Sequence, residues 1–258
     1  MTLDFLQAPN LKDIPKLKHG FTTRMGGVSA DSFSSLNLGW ATGDDDDLVS
    51  ENYDRLAQFL GATQEQIVGV RQTHSSTVVK VNQRDDREVI SNQSADVLIT
   101  DQPALFLSVR VADCLPILLV DPHHHAAAAV HAGWRGTLAK VLPQAIAAMT
   151  REFSTQPSEL LVAIGPGIGI CCFEVAAGVA SLFVQNLDLS EAEIREKDAS
   201  AFLDLSAINA RLATREGVRT DRIWKASLCT RCDAKRFYSY RRDGKRSGRQ
   251  IGVIGWQP

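Results

Sequence analysis

Residues 109–136 constrain the fold more than any other stretch, because they hold two long apolar runs separated by a short polar segment. The runs at residues 115–120 and 126–130 are apolar at nearly every position, which is typical of strands buried on both faces. The polar residues 121–125 between them would form the connecting turn. The sequence therefore predicts an antiparallel hairpin in the interior of a sheet.

Reactive side chains lie at the outer ends of this hairpin. Cys114 enters the first strand and His131 leaves the second, so the open end of the hairpin would bring them together. A thiol beside an imidazole suits a metal site or a nucleophile–base pair. A buried structural cysteine beside a hydrogen-bonded histidine is the alternative, and these two residues alone do not decide between the readings. Asp113, Trp134 and Arg135 accompany them.

Composition limits the class of protein. The chain has 258 residues, 44% of them hydrophobic, and a net charge of −2, so neither nucleic acid nor an anionic membrane is an expected partner. No apolar run reaches the roughly 18 residues of a spanning helix, and residues 1–20 lack the apolar segment of a signal peptide. Five cysteines without a disulfide framework indicate a reducing, cytoplasmic location. We expect one domain over residues 1–258.

Strand and helix patterns alternate along the chain, which predicts an α/β fold. The acidic run GDDDD at residues 43–47 is expected at the N-terminus of a helix that ends before Gly61. Pro143 should kink or shorten the predicted helix over residues 136–149. The predicted strands are residues 18–24, two short runs within 67–81, 95–100, 105–111, 160–164, 202–205 and 223–228, and the predicted helices are residues 48–60, 136–149, 175–185 and 206–215.

Two cysteine motifs allow different readings. Cys171 and Cys172 are adjacent, so we expect them to point apart and not to share a metal. The CTRC motif at residues 229–232 has the spacing of zinc or redox sites, but no second pair of ligands follows it. Two reduced thiols are therefore the expectation. The glycines at 165, 167 and 169 form a loop whose amides could face an anion, or only a tight turn.

The C-terminal segment FYSYRRDGKRSGRQIGVIGW carries the basic cluster of the chain. Its members are Arg241, Arg242, Lys245, Arg246 and Arg249. The cluster suits phosphate binding or an exposed hairpin turn at residues 243–244.

Six motifs in order, FTTRMGGVS, QTHSSTVV, ADCLPILLVDP, VHAGWRG, AIGPGIGICCFEV and FYSYRRDG, resemble the YfiH-type laccase-domain family, whose members are described as purine nucleoside phosphorylases or multicopper polyphenol oxidases. The resemblance spans residues 21–254. The chain departs from the usual GPAIGPCC at Gly167 and Ile170, and Ser75 stands where a glycine usually follows the QxH motif.

The resemblance implies a zinc site on His74, Cys114 and His131, which would also be the catalytic residues; copper is the alternative metal. It implies mixed sheets packed between helices, as in cysteine-hydrolase-like folds. The implied activities are phosphorolysis of adenosine, inosine and S-methyl-5′-thioadenosine and deamination of adenosine, with purine nucleosides and phosphate as partners. By charge and motif position, the phosphate candidates are Arg24, Arg135, Arg241 and Arg242.

Two other functions stay open at this stage. A copper-dependent polyphenol oxidase would need several histidine-rich sites, whereas the chain has six histidines and three of them form the run 123–125 at the hairpin turn. A cysteine hydrolase would use Cys114 as the nucleophile and His131 as the base. The resemblance implies cell-wall precursors as its candidate substrates. Trp134 and Phe173 are candidates for stacking on a purine, and Asp113 for orienting a ligand.

Overall fold

The computed structural model describes residues 3–258, which fold into three β-sheets and seven α-helices. The helices are α1 (Asp46–Leu60), α2 (Arg87–Asn92), α3 (Trp134–Leu138), α4 (Val141–Phe153), α5 (Ala177–Leu187), α6 (Leu205–Arg215) and α7 (Tyr240–Asp243). The strands are β1 (Phe5–Leu6), β2 (Leu17–Thr22), β3 (Ile67–Val68), β4 (Val78–Lys80), β5 (Val97–Thr100), β6 (Phe106–Val111), β7 (Leu115–Asp121), β8 (Ala126–Ala132), β9 (Leu161–Ile164), β10 (Glu174–Ala176), β11 (Ile194–Lys197), β12 (Ser200–Leu203), β13 (Ile223–Lys225) and β14 (Gln250–Trp256).

The predicted hairpin is confirmed at the centre of a six-stranded sheet. Its strands β7 and β8 pair antiparallel from Leu115 opposite Ala132 to Asp121 opposite Ala126. They lie between β9 and β5 in the strand order β13-β9-β7-β8-β5-β4, and every residue of both strands is buried. The continuous apolar runs follow from this position, because both faces of the hairpin are covered.

The C-terminal strand lies in the middle of a second, five-stranded sheet. Strand β14 pairs antiparallel with β2 on one side and with β6 on the other, in the order β1-β2-β14-β6-β3. The two ends of the chain therefore meet in one sheet. A third sheet has three short strands in the order β10-β12-β11.

The two large sheets pack face to face, and helices cover their outer faces. Successive side chains of a strand point to opposite faces, so Leu118 contacts the core shared with Ile254, whereas Ile117 contacts the core shared with Met149 of α4. On the far side of the five-stranded sheet, Val253 packs with Leu56 of α1. This layered arrangement confirms the predicted class of mixed sheets between helices.

Helix α1 begins where the acidic run predicted. Asp45 is its N-cap, and its carboxylate accepts a hydrogen bond of 2.9 Å from the Asp47 amide. Gly61 ends the helix in the left-handed region at φ 68°. Among residues 3–258, no helix combines the length and the apolar character that crossing a membrane requires.

Three predicted elements are wrong in their details. The helix over residues 136–149 is two helices, because the chain turns at Lys140 (φ 58°) between α3 and α4. Pro143 then lies in the first turn of α4, where its missing N–H is tolerated. The helix over residues 175–185 begins only at Ala177, because the two residues before it extend β10. Residues 243–244 are not a hairpin turn but the end of α7 and the start of a 3₁₀ turn.

Candidate functional site

Three predicted residues meet at the open end of the central hairpin. Cys114 immediately precedes β7, His131 lies on β8 opposite Pro116, and His74 lies in the connection between β3 and β4. The ligand atoms of the three side chains all lie within 4.8 Å of one another. Cys114 Sγ is 4.0 Å from His74 Nε2, and the two imidazole rings stand edge to face with centroids 4.9 Å apart.

Asp96 holds both histidines and was missed by sequence reasoning. Its buried carboxylate accepts a hydrogen bond of 2.7 Å from His131 Nδ1 through Oδ1. The same carboxylate accepts from the amide of His74 at 3.0 Å and from the hydroxyl of Ser75 at 2.7 Å. The only signal in the sequence was an aspartate directly before the apolar residues of β5, a place where a buried charge needs partners.

Asp96 also stabilises an unusual backbone at His74. His74 has φ 59°, in the left-handed region that a non-glycine residue adopts at some cost. The amide of Ser75 donates to Asp96 at 2.5 Å and that of Thr73 at 3.2 Å, so consecutive amides converge on one carboxylate. This turn fixes the imidazole of His74 beside Cys114 before any ligand arrives.

Neighbouring groups in the site stabilise one another's charged forms. Burial opposes ionisation of the Asp96 carboxyl, but hydrogen bonds from His131 and Ser75 hold its pKa well below the usual range. Burial likewise opposes the thiolate of Cys114, yet His131 and His74 lower the thiol pKa. Burial disfavours the imidazolium of His131, whereas the Cys114 thiolate and Asp96 raise its pKa. Cys114 is therefore prepared to act as a thiolate.

The donor set fits a zinc ion. Two imidazoles and a thiolate are ligands that zinc prefers, and three protein ligands leave one tetrahedral position open. Because His131 Nδ1 is bound to Asp96, its Nε2 is left to act as the ligand. Gly133 keeps the space clear, since a Cβ there would lie 2.8 Å from Cys114 Sγ and 3.0 Å from His74 Cδ2.

The triad opens into a cavity of about 620 Å³ with a basic and aromatic lining. Four arginines line it: Arg241 was a predicted phosphate ligand and Arg249 belonged to the predicted basic cluster, whereas the other two were not proposed. The lining includes Arg71, Arg110, Arg241 and Arg249 together with Trp40, Phe173 and Tyr240. Trp40 and Tyr240 are 40% and 49% exposed, although large apolar rings are usually more buried. Sequence reasoning proposed Phe173 and missed these two rings.

The other three predicted phosphate ligands lie outside the lining described for residues 3–258. The guanidinium of Arg24 donates to the carbonyls of residues 32, 34 and 234 and stacks on Tyr238. Arg242 donates to the carbonyl of Phe237 and pairs with Asp243 at 2.7 Å. Arg135 is exposed on α3 and stacks on Trp134. The first two arginines join backbone segments, which accounts for their place in the motifs.

Asp113 connects the triad to the C-terminal segment. Its Oδ1 accepts from the Thr230 hydroxyl at 2.7 Å, and its Oδ2 accepts from the backbone amide of Arg241 at 2.6 Å. Arg241 in turn donates to the carbonyl of Glu174 and lies over the ring of Phe173. Asp113, itself part of the cavity lining, thus positions Arg241 at the cavity wall.

The three consecutive histidines lie at the opposite end of the hairpin. Residues 123–125 occupy the β7–β8 turn, separated from the triad by the seven-residue length of the strands, roughly 20 Å. His124 is bound to Asp121 at 2.7 Å and His123 faces Glu159 at 3.6 Å. Among residues 3–258, they do not form a group of three convergent metal ligands, whereas the triad does.

Sequence and structure comparisons agree on one family. The family model described as multi-copper polyphenol oxidoreductase laccase matches residues 18–257. The chain belongs to this laccase-domain family. The resemblance read from the six motifs is therefore confirmed.

Relatives within the laccase-domain family cover nearly the whole chain. A protein of Deinococcus radiodurans named purine nucleoside phosphorylase is 36% identical over 98% of this chain and 93% of its own length. The crystal structure of the Bacillus licheniformis hypothetical protein YfiH superposes with a TM-score of 0.91, at 32% identity, over 98% of this chain and 99% of that one. YlmD from Geobacillus stearothermophilus gives a TM-score of 0.90, also at 32% identity, over 97% and 94%. The layered fold is thus that of the family.

Proposed function

We propose that this protein is a zinc-dependent purine nucleoside enzyme. Its reactions would be phosphorolysis of adenosine, inosine and S-methyl-5′-thioadenosine and deamination of adenosine. The observation that carries the proposal is the convergence of His74, Cys114 and His131 at the base of a cavity lined by arginines and aromatic rings. Relatives named purine nucleoside phosphorylase support it.

The protein side chains prepare the reaction centre. A zinc ion held by the triad would supply the positive charge that activates water for attack on the purine carbon bearing the amine, and the amine would leave as ammonia. Asp96 keeps the proton on Nδ1 of His131 and so fixes the orientation of the ring. The turn at His74 holds the second imidazole without further rearrangement.

Phosphorolysis needs a phosphate held next to the nucleoside. A phosphate oxygen forms the bond to ribose C1′ while the bond from C1′ to the purine nitrogen breaks and the base takes a proton. Arginines bind phosphate oxygens in a bidentate manner, and four of them line the cavity. Tyr240 and Trp40, both partly exposed in the cavity lining, are the candidates for stacking on the purine.

A nucleoside panel tests the proposal. Untagged protein is assayed with adenosine, inosine and S-methyl-5′-thioadenosine, with and without phosphate, after chelation and after return of zinc. We expect base release that depends on phosphate, inosine formation that does not, and loss of both on chelation. Protein that contains zinc in the triad and releases neither product from any nucleoside contradicts the proposal.

A cysteine hydrolase is the second candidate, and one observation favours it. Cys114, His131 and Asp96 stand in the order of nucleophile, base and orienting acid, and His131 lowers the pKa of the thiol. This hypothesis leaves His74 only a secondary part, because His131 already lowers the thiol pKa. It predicts activity in metal-free protein, a covalent adduct on Cys114, and a His74→Ala variant that is nearly unaffected.

The polyphenol oxidase reading has less support. Multicopper chemistry needs several sites rich in histidine, and among the described residues histidines join a group of three potential metal ligands only at the triad. Copper bound by the exposed turn at residues 123–125 would account for adventitious oxidation, which His123→Ala combined with His124→Ala and His125→Ala would remove.

A further inference from the structure

Four of the five cysteines converge in a second cluster. Cys171, Cys172, Cys229 and Cys232 have sulfur atoms that all lie within 4.8 Å of one another. The Sγ of Cys232 is 3.6 Å from that of Cys171 and 3.3 Å from that of Cys172. The expectation that the adjacent cysteines point apart is therefore wrong.

Two turns bring these sulfurs together. In the glycine-rich loop, the amides of Cys172 and Phe173 both donate to the carbonyl of Gly169 at 2.9 Å, so the chain forms a tight turn. In a strand, the two adjacent thiols would instead point to opposite faces. In the CTRC turn, the amide of Asp233 donates to the carbonyl of Cys229 at 3.1 Å. The second ligand pair, which the sequence near CTRC lacks, is supplied from about sixty residues upstream.

The surroundings match those of a bound thiolate. The amide of Gly169 donates to Cys229 Sγ at 3.3 Å, and the amide of Cys232 approaches the same sulfur. Backbone N–H groups of this kind stabilise a metal-bound sulfur. Gly169 also has little room for a side chain, since a Cβ would lie 3.4 Å from Cys171 Sγ and 3.3 Å from Cys229 Cβ.

We infer that Cys171, Cys172, Cys229 and Cys232 bind a second zinc ion in a closed tetrathiolate site. Four sulfurs at about 2.3 Å from a tetrahedral zinc lie about 3.8 Å from one another, close to the separations found here. Each thiol gives its proton to solvent as its bond to zinc forms, and no electron is transferred. Four protein ligands leave no open position, so the site is structural and independent of the proposed reaction.

A metal in this cysteine cluster would stabilise one wall of the cavity into which the triad opens. Thr230, inside the CTRC turn, donates its hydroxyl to Asp113, and its carbonyl accepts from Arg242 at 3.1 Å. The amide of Ile168 donates to the carbonyl of Asp113 at 2.8 Å. A metal that joins the two turns therefore holds the loop beside Phe173 and the segment that carries Arg241.

Metal content distinguishes this site from the triad. Full-length protein is reconstituted with zinc under reducing conditions, freed of unbound metal and analysed by mass spectrometry of the elements. Wild type should hold two zinc ions per chain, and Cys114→Ser should keep the one in the cluster. Cys232→Ser should lose that ion, keep the one in the triad, and show amide exchange in residues 168–173 faster by about tenfold or more.

Cobalt gives a spectroscopic readout in the same Cys114→Ser variant. Cobalt in Cys114→Ser should show the intense thiolate charge-transfer absorption of four sulfur ligands, whereas cobalt in the triad has only one. If wild type and Cys114→Ser both hold one zinc, the cluster is supported and the triad proposal fails. A Cys114→Ser chain without zinc, stoichiometric iron in the cluster, or a Cys172–Cys232 disulfide that persists under reducing conditions overturns the inference.

Discussion

Asp96 is the residue on which the geometry of the triad depends most. It accepts from His131 Nδ1 and from the amides that shape the turn at His74, and it is not among the residues that line the cavity. A group in this position orients metal ligands and raises their basicity. Asp96 is therefore a positioning residue, and the affinity of the triad for metal is the property that its replacement should change most directly.

Replacement of Asp96 tests this role. Asp96→Asn should weaken zinc binding at the triad by roughly 10–100-fold, because the asparagine side chain carries no charge and its NH₂ group would face N–H donors. Competition with a chelator measures the affinity. Asp86→Asn is the matched control, since Asp86 only caps α2 and asparagine caps equally well. Equal zinc affinity in wild type and Asp96→Asn would show that Asp96 serves folding alone.

Gly133 is the second residue that shapes the site. A methyl group at this position would lie within 3.0 Å of both Cys114 Sγ and His74 Cδ2, so Gly133→Ala should spread the ligands and lower zinc affinity by about tenfold or more. Gly178→Ala is the control, because a Cβ there meets nothing within 4 Å. Unchanged zinc affinity in a folded Gly133→Ala protein contradicts the proposed metal geometry.

Elements differ in how far the sequence determines them. The β7–β8 hairpin was predictable because burial on both faces leaves a continuous apolar run. Pro143 predicted that the helix over residues 136–149 would be kinked or shortened, but nothing in the sequence around Lys140 marks the left-handed residue at which α3 and α4 separate. The central place of β14 also could not be read, because its partners β2 and β6 are brought to it only by the tertiary fold.

Helix α7 supplies Arg241, one of the four arginines that line the cavity. Arg241→Lys should raise the apparent KM for phosphate several-fold and change deamination less, because lysine cannot form a bidentate contact with phosphate. The measurement is initial rate against phosphate concentration. Arg135→Lys, on the exposed side of α3, is the control and should leave both activities unchanged. Equal losses of both activities in Arg241→Lys would instead indicate that Arg241 maintains the fold.

Across the whole molecule, sequence reasoning located the triad and misjudged its surroundings. His74, Cys114 and His131 stand in recognisable motifs, and the structure brings them together. Arg24 and Arg242 also stand in motifs, yet their donors are taken by backbone carbonyls, which no motif reveals. The cysteine cluster escaped notice because its two pairs are far apart in sequence and meet only when the loops fold against each other.

The stability of the whole fold should depend on the protonation of His19. This residue of β2 is 1% exposed, and its Nε2 accepts from the Ala8 amide at 3.1 Å. Burial lowers its pKa from 6.5 to about 4. As pH falls, His19 therefore gains a proton in the unfolded chain before it does so in the folded protein. Its contribution to the free energy of unfolding is complete above pH 6.5 and is lost towards pH 4.

Urea unfolding measures this contribution. Between pH 7 and pH 4, wild type should lose about 3 kcal/mol more of its free energy of unfolding than His19→Gln does. The comparison cancels the carboxylates that both proteins share. Parallel loss in the two proteins would mean that His19 does not titrate in this range.

The central claim is that the triad binds the metal on which nucleoside cleavage depends. The most direct test is the rate of phosphate-dependent base release from adenosine as zinc is returned to chelated protein, with Cys114→Ser, His74→Ala and His131→Ala measured in parallel. We predict that the rate of wild type rises in proportion to zinc bound at the triad and that all three variants stay inactive. Full activity in metal-free wild type, or in His74→Ala, would contradict the account.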